Sequence, residues 1–468
     1  MTRTLNAKTL ALVGSLALFV ACKDSTGVPD LNNVSAETLA NGLDAASAQL
    51  LVTGLLNQDR ASATGNYITF PAILGRDAYR IDVAETRYAT ELIGPSQPDV
   101  GAFTGGGVFN GFFTGIRAAN TLVAGIKNAA GLTPAQISGV LGLTRTIKAL
   151  EYYRALELRD SVGAPIDLDR PIEAPPADFV CTPNVLAYVS SLLDSAATDL
   201  AAAGGTFAVI LPSGYAGFDT PSSFLQFNRG LQGKVELYRA LNKQKPFAGG
   251  FDAAIAALNA SYIDPSADAN GLQNGPKQFY STAAGEISSS IVDPALHLNP
   301  QVADSVLPGD TRASKIVKAS KTYSGTYLGT SKLSTTYDFI GSVQNGALTR
   351  PLPILKNEEL ILLRAQAYIG KGDLVNATAD INAVHTKYGL APYPTFASSA
   401  AAISAILYEK RYSLLFEGPQ RLVDLRIYGR LNAANYKAEL PGDLYTSTLG
   451  VPLNEAAARG GTVTTVCP

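Results

Sequence analysis

The amino-acid sequence predicts an all-α fold: helical hairpins stacked into a right-handed superhelix, with long irregular insertions packed on one side. Two observations carry that expectation. Residues 357–390 read NEELILLRAQAYIGKGDLVNATADINAVHTKYGL and place apolar side chains at Leu360, Leu363, Ala367, Leu374, Ala377, Ile381 and Val384, the spacing of two amphipathic helices. The breaker is Gly370-Lys371-Gly372-Asp373, with Asp373 at an N-cap position. Small Ala367 and Ala377 permit close approach, and a hairpin of about 34 residues has the tetratricopeptide period. The second observation is that looser copies of the pattern recur upstream, near 35–127, 135–203 and 224–263.

In chain order, the first copy joins residues 35–58 to 109–127. The second joins the run Ile147-Lys148-Ala149-Leu150-Glu151-Tyr152-Tyr153 to residues 185–203. The third has a helix through Asn228 and Tyr238, a Gly249-Gly250 linker and a helix over 251–258. Between the copies, residues 67–107, 164–183, 204–221 and 264–353 are rich in Gly, Pro, Ser and Thr. Irregular stretches of this length inside a globular chain usually serve function.

Composition narrows the function. The 468 residues are 46% hydrophobic and 16% charged, so the chain is globular. With 37 Lys+Arg against 39 Asp+Glu, the net charge of -2 argues against nucleic acid as a partner. Two histidines, His297 and His385, exclude a multi-histidine metal site. There is no Trp, so an aromatic platform must come from 21 Tyr and 17 Phe.

The N-terminus reads as an address. Arg3 and Lys8 precede an apolar run over residues 9–21, too short to span a bilayer and sized like a signal-peptide core. Ala21-Cys22 resembles a bacterial lipobox, with Phe19 where Leu is usual. The expected parts are a signal peptide over 1–21, a flexible lipid-anchored tether over 22–34 with Cys22 as the lipidated residue, and a single domain over 35–468. Lys23-Asp24 resembles the surface-export signal of certain bacterial lipoproteins. Two cysteines remain, Cys181 and Cys467. Outside the cytoplasm an even pair favours a disulfide, the alternative being two separate thiols.

Residues 403–431, ISAILYEKRYSLLFEGPQRLVDLRIYGRL, carry the most specific pattern: Glu409-Lys410-Arg411, then Phe416-Glu417-Gly418, Arg421 and Asp424-Leu425-Arg426. This segment resembles the C-terminal signature of the SusD/RagB family of nutrient-uptake lipoproteins. Glu359 and Arg364-Ala365 are similar to that family's preceding helix, Asn120 to the Asn of an early helix, and Tyr152-Tyr153 before Gly163-Ala164-Pro165 to its aromatic helix and Gly-x-Pro loop. The chain departs from the family in lacking Trp, with Leu422 after Arg421. The resemblance implies a cell-surface lipoprotein anchored in the outer membrane. It would capture a glycan or peptide oligomer and deliver it to a SusC-like, TonB-dependent transporter, on which it sits as a lid. No catalysis and no cofactor are implied. The rival readings are a helical-repeat adaptor for proteins and a secreted glycan hydrolase.

The signature residues Glu409, Arg411, Glu417, Arg421, Asp424 and Arg426 are expected to form an ion-pair lattice at a helical corner, with Arg421 and Asp424 on one helix face. Other motifs carry little. Asp264-x-Ser266-x-Asp268-x-Asn270 lacks the Gly and Glu of a calcium loop. Asp167 and Asp169 read as a solvated loop, Gly105-Gly106-Gly107 lacks a phosphate-binding pattern, and Glu358-Glu359 suit a helix start. Neither histidine has a partner at motif distance. The ligand surface is therefore expected from inserted-loop residues Tyr67, Asp77, Tyr79, Arg87, Tyr88, Tyr323, Tyr327 and Tyr337, whose rings and hydroxyls suit sugar or peptide.

Overall fold

The computed structural model describes residues 42–170, 174–289, 293–340 and 347–463. Cys22 and Cys467 lie outside them, so neither the lipid anchor nor the Cys181–Cys467 bridge is placed. Cys181 itself is buried at the cap of a helix.

The all-α expectation holds, and the helices are named α1 Ala45–Ser62, α2 Asn66–Leu74, α3 Gly106–Ile126, α4 Pro134–Glu157, α5 Thr182–Ala202, α6 Pro221–Leu241, α7 Gly250–Asn259, α8 Asn357–Lys371, α9 Leu374–His385, α10 Ser399–Ser413 and α11 Gln420–Ile427. Local chemistry sets their starts. Thr133 and Gln136 form a capping box with Pro134 in the first turn, and Thr220, Ser223 and Pro221 do the same for α6. Asp373 accepts from the Asn376 amide, and Gly372 ends α8 with φ 78°.

Helices α1 and α3, α4 and α5, α6 and α7, and α8 and α9 pack as pairs, and each pair leans on the next. Two glycines set the closeness of the inner pairs. A methyl group at Gly142 would stand 2.6 Å from Leu200 and 2.9 Å from the Ala196 carbonyl, and one at Gly233 would stand 2.4 Å from Leu258. One apolar core runs through these pairs, including Ile116, Leu143, Leu193, Phe227, Val235 and Leu363, all buried.

A second core holds the insertions against the signature helices. It joins α2 to Phe339, Phe416 and Leu422. Short strand β1 Ala78–Arg80 pairs antiparallel with β2 Leu296–Leu298, and β3 Ile316–Tyr327 pairs antiparallel with β4 Ser331–Phe339. The insertions are thus more ordered than their composition suggests. Helix α2 carries Pro71 inside it and is buried continuously from Tyr67 to Leu74, so it shows no amphipathic period. In the β3–β4 hairpin, a register irregularity between Lys318 and Tyr323 breaks the alternation that marks a strand.

Candidate functional site

The signature residues do form ion pairs, yet none of the six pairs with another. Glu409 sits 2.8 Å from Arg312 and 2.7 Å from His385 Nδ1. Arg411 meets Asp77 at 2.8 Å, Glu417 meets Lys356 at 2.8 Å, and Asp424 meets Lys410 at 2.8 Å. Arg426 is 3.5 Å from Asp160 and donates to the Glu157 and Ser447 carbonyls. The expected Arg421/Asp424 pairing is corrected: Asp424 turns to Lys410, while Arg421 donates to the Leu407 carbonyl and the Tyr436 hydroxyl. Lys410 and Leu407 are partners within the signature segment, whereas Asp77, Asp160, Arg312, Lys356 and His385 lie outside it, which is how the corner holds distant segments together. Both histidines also have carboxylate partners, His297 with Asp338 at 2.7 Å and His385 with Glu409.

The loop residues expected to face ligand are distributed differently. Tyr67 is buried and donates to Glu157, and Tyr79 is buried and donates to Glu439 at 3.0 Å. Tyr327 is 3% exposed and packs in the second core. Asp77 is consumed by Arg411. These four are corrected to packing roles: their polar ends meet interior partners or their rings fill the core, leaving no face for a ligand. Tyr88 and Tyr337 are half-buried against the same core. Arg80 lies over the Tyr88 ring, while Arg87 lies over Phe103 and pairs with Glu85. Tyr323 stacks on His297 with centroids 3.6 Å apart. So the tyrosines do gather, but as the filling between insertions and helices.

The opening that does gather aromatic and cationic groups, half-buried at Tyr408, Tyr436, Arg421 and Arg430 and buried at Tyr412 and Arg411, lies between α10, α11 and the segment after it. This cleft measures about 340 Å³, and its lining includes Tyr408, Tyr412, Tyr436, Arg411, Arg421 and Arg430. Ser404, Tyr408 and Arg411 share one face of α10, and Arg421 and Leu425 share one face of α11, by helical spacing. Tyr412 donates to the Val302 carbonyl and Tyr408 to Asp310 at 2.7 Å. Burial pushes the Tyr412 phenol up to about 12, and burial with the Asp310 bond raises Tyr408 as well. Both phenols therefore stay neutral at physiological pH, Tyr408 half-buried and Tyr412 buried. A second groove of about 440 Å³ between α5, α6 and α7 is less suited to a ligand. Its arginines are matched internally, Arg229 with Asp194 at 3.0 Å and Arg239 with Glu236 at 2.8 Å.

Of the cleft residues, sequence reading singled out Arg411, Arg421 and Leu425 as signature positions, and gave the two arginines to the lattice. Arg430 stands at the end of the signature segment outside its matched positions, and Asn435 and Tyr436 follow it with no helical period, so no pattern marked them. Among the described residues no group of three or more His, Cys, Asp or Glu is arranged to hold a metal ion. No described helix is long and apolar enough to cross a membrane.

The chain matches no protein-family profile and no curated protein. Solved structures do resemble it. A SusD superfamily protein from Bacteroides vulgatus aligns over 89% of this chain and 97% of its own, with a TM-score of 0.65 at 13% identity. The chain has the SusD-like fold. NanU of B. fragilis aligns over 92% of this chain and 98% of its own, with a TM-score of 0.63 at 15% identity. A laminarin-binding SusD-like protein aligns over 88% and 97%, with a TM-score of 0.59 at 17% identity. The SusD-like scaffold here spans helical pairs and insertions alike, since nearly the whole length of each neighbour is matched.

Proposed function

We propose that this SusD-like protein is a non-catalytic capture lipoprotein of the cell surface. Anchored in the outer membrane through acylated Cys22, it binds a nutrient oligomer and hands it to a SusC-like, TonB-dependent barrel. The observation that carries the reading is the open cleft of about 340 Å³ beside the signature helices, where tyrosine rings and hydrogen-bonding side chains meet without a carboxylate in the lining. Stacking faces and neutral donors suit a sugar ring, and a site that must release its ligand needs only moderate affinity. One similar structure is described as laminarin-binding, which supports a glycan over a peptide. A hydrolase would place two carboxylates across the cleft, about 5–9.5 Å apart.

The test uses the mature protein on native gels cast with a panel of polysaccharides, followed by a count of reducing ends. Retardation by at least one glycan, with no new reducing ends, is the expected result. Co-purification of a TonB-dependent barrel from native membranes is expected alongside it. New reducing ends would make the protein an enzyme, and the absence of both retardation and barrel would end the capture reading.

A further inference from the structure

We propose that the cleft between α10 and α11 takes an acidic oligosaccharide, with Arg421 and Arg430 holding the carboxylate of one sugar. This rests on the capture reading and adds the class of ligand. Three arginines line the cleft, but only one is neutralised. Arg411 is held by Asp77 at 2.8 Å. Arg421 is fixed in place by the Leu407 carbonyl at 3.2 Å and the Tyr436 hydroxyl at 2.7 Å, both neutral groups. Its Nε–H is buried without an acceptor. Arg430 is half-buried and makes no side-chain hydrogen bond or ion pair with any described residue. Two positive charges therefore share a partly desolvated cleft whose lining has no acid to balance them. Several other buried or half-buried cations are matched by acids, as in the Lys410–Asp424 and Arg239–Glu236 pairs, or saturated by carbonyls, as Arg159 is by Thr104, Gly105 and Gly450; Arg430 has neither among the described residues.

A guanidinium withdrawn from water is costly unless an anion meets it, and its planar fork fits a carboxylate through two parallel hydrogen bonds. The rest of the lining describes what the carboxylate is attached to. Tyr408 and Tyr436 are half-buried and can offer ring faces to a pyranose. Gln301, Ser404 and Asn435 offer neutral groups for hydroxyls. Leu407 and Leu425 are the aliphatic side chains in the lining, and the cleft runs between helices, away from a free strand edge. A peptide would need side-chain pockets or such an edge. The volume of about 340 Å³ suits one or two sugar rings, with the remainder of a chain in solvent.

The probes are tri-galacturonic acid, neutral maltotriose and a glutamate hexapeptide, each titrated calorimetrically into the mature protein at low salt. Tri-galacturonic acid is expected to bind, to weaken at least tenfold in Arg430→Gln, to recover in part in Arg430→Lys, and to weaken as salt rises. Maltotriose is expected to bind at least tenfold less tightly. Arg430 stands on the surface side of the fold, so its variants should melt like the parent; Arg421→Gln is a second variant, judged only if it melts likewise. If maltotriose binds as well as the acid, or if Arg430→Gln changes nothing, the acidic class is wrong while glycan capture stands. If the hexapeptide binds more tightly than the sugar acid, the ligand is an acidic peptide and this inference fails. If none of the three binds, the acidic class is wrong; if the polysaccharide panel also gives no retardation and no barrel co-purifies, the capture reading fails with it.

Discussion

Arg411 Nε donates to Asp77 Oδ1 at 2.8 Å, joining two residues 334 positions apart, and Arg411 Nη2 donates to the Arg76 carbonyl at 2.9 Å. Both side chains are nearly sealed from solvent, at 7% and 5% exposure. The bond ties the signature helix α10 to the insertion just before β1, and its Arg411 lines the cleft.

Asp77→Ala should therefore lower stability by about 3–5 kcal/mol, because it leaves the Arg411 charge buried and unpaired. Asp424→Ala should do the same through Lys410. Urea melts of the two variants measure the loss. An Asp77→Ala protein as stable as the parent but unable to bind glycan would return Asp77 to the ligand site.

Gly142→Ala tests the closeness of α4 and α5. Helix propensity alone favours alanine by about 1 kcal/mol. The added methyl group, 2.6 Å from Leu200 and 2.9 Å from the Ala196 carbonyl, must push the two helices apart. Overpacking of this kind costs about 1–3 kcal/mol, so the net change should be destabilising. A higher melting temperature would show that the pair has slack.

Glu151 supplies a pH prediction. Its two carboxyl oxygens have no donor, and burial first, then the neighbouring Asp59 charge, push its carboxyl well above the usual range. Burial thus favours its protonated form in the fold. The proton's stabilising contribution is complete below the unfolded value of about 4.3 and is lost as pH rises through the raised folded value. Glu151→Gln cannot ionise, so its stability relative to the parent should climb from about pH 4 upward, by up to about 1.4 kcal/mol per pH unit. Parallel stability curves for the two proteins would rule out a raised Glu151 carboxyl.

Cys22→Ser should release the protein from membranes into the salt-washed soluble fraction, and metabolic labelling with palmitate should disappear with it. The basis is the short apolar run ending at Ala21-Cys22. Retention of the variant in the membrane pellet would require another anchor.

What could be read in the sequence follows from what repeats in it. The α8–α9 hairpin is legible down to its caps, because Leu360, Leu363, Ile381 and Val384 recur at helical spacing and Asp373 and Gly372 punctuate them. Helix α2 is not, since it is buried on every side and its apolar residues show no face. The tyrosines misled for a different reason. A ring in a glycine-rich stretch gives no hint of which way it points, and Tyr79 is settled by Glu439, 360 residues later. Arg421 and Arg430 could not be recognised as unpaired, because a missing partner is a property of the folded surroundings. Arg430 in sequence is one basic residue among 37.

The same distant bonds constrain when the molecule can be finished. Arg76 closes on Asp443, Asp77 on Arg411 and Tyr79 on Glu439. On a ribosome, which issues the chain from its N-terminus, these three residues of β1 and its approach wait for counterparts that emerge only between residues 411 and 443. Early helical pairs can dock meanwhile, but this layer sets last, and contacts of such separation form slowly. A chain cut short before residue 411 would keep its first pairs and lose this whole side, exposing Asp77 and the apolar α2 to proteases.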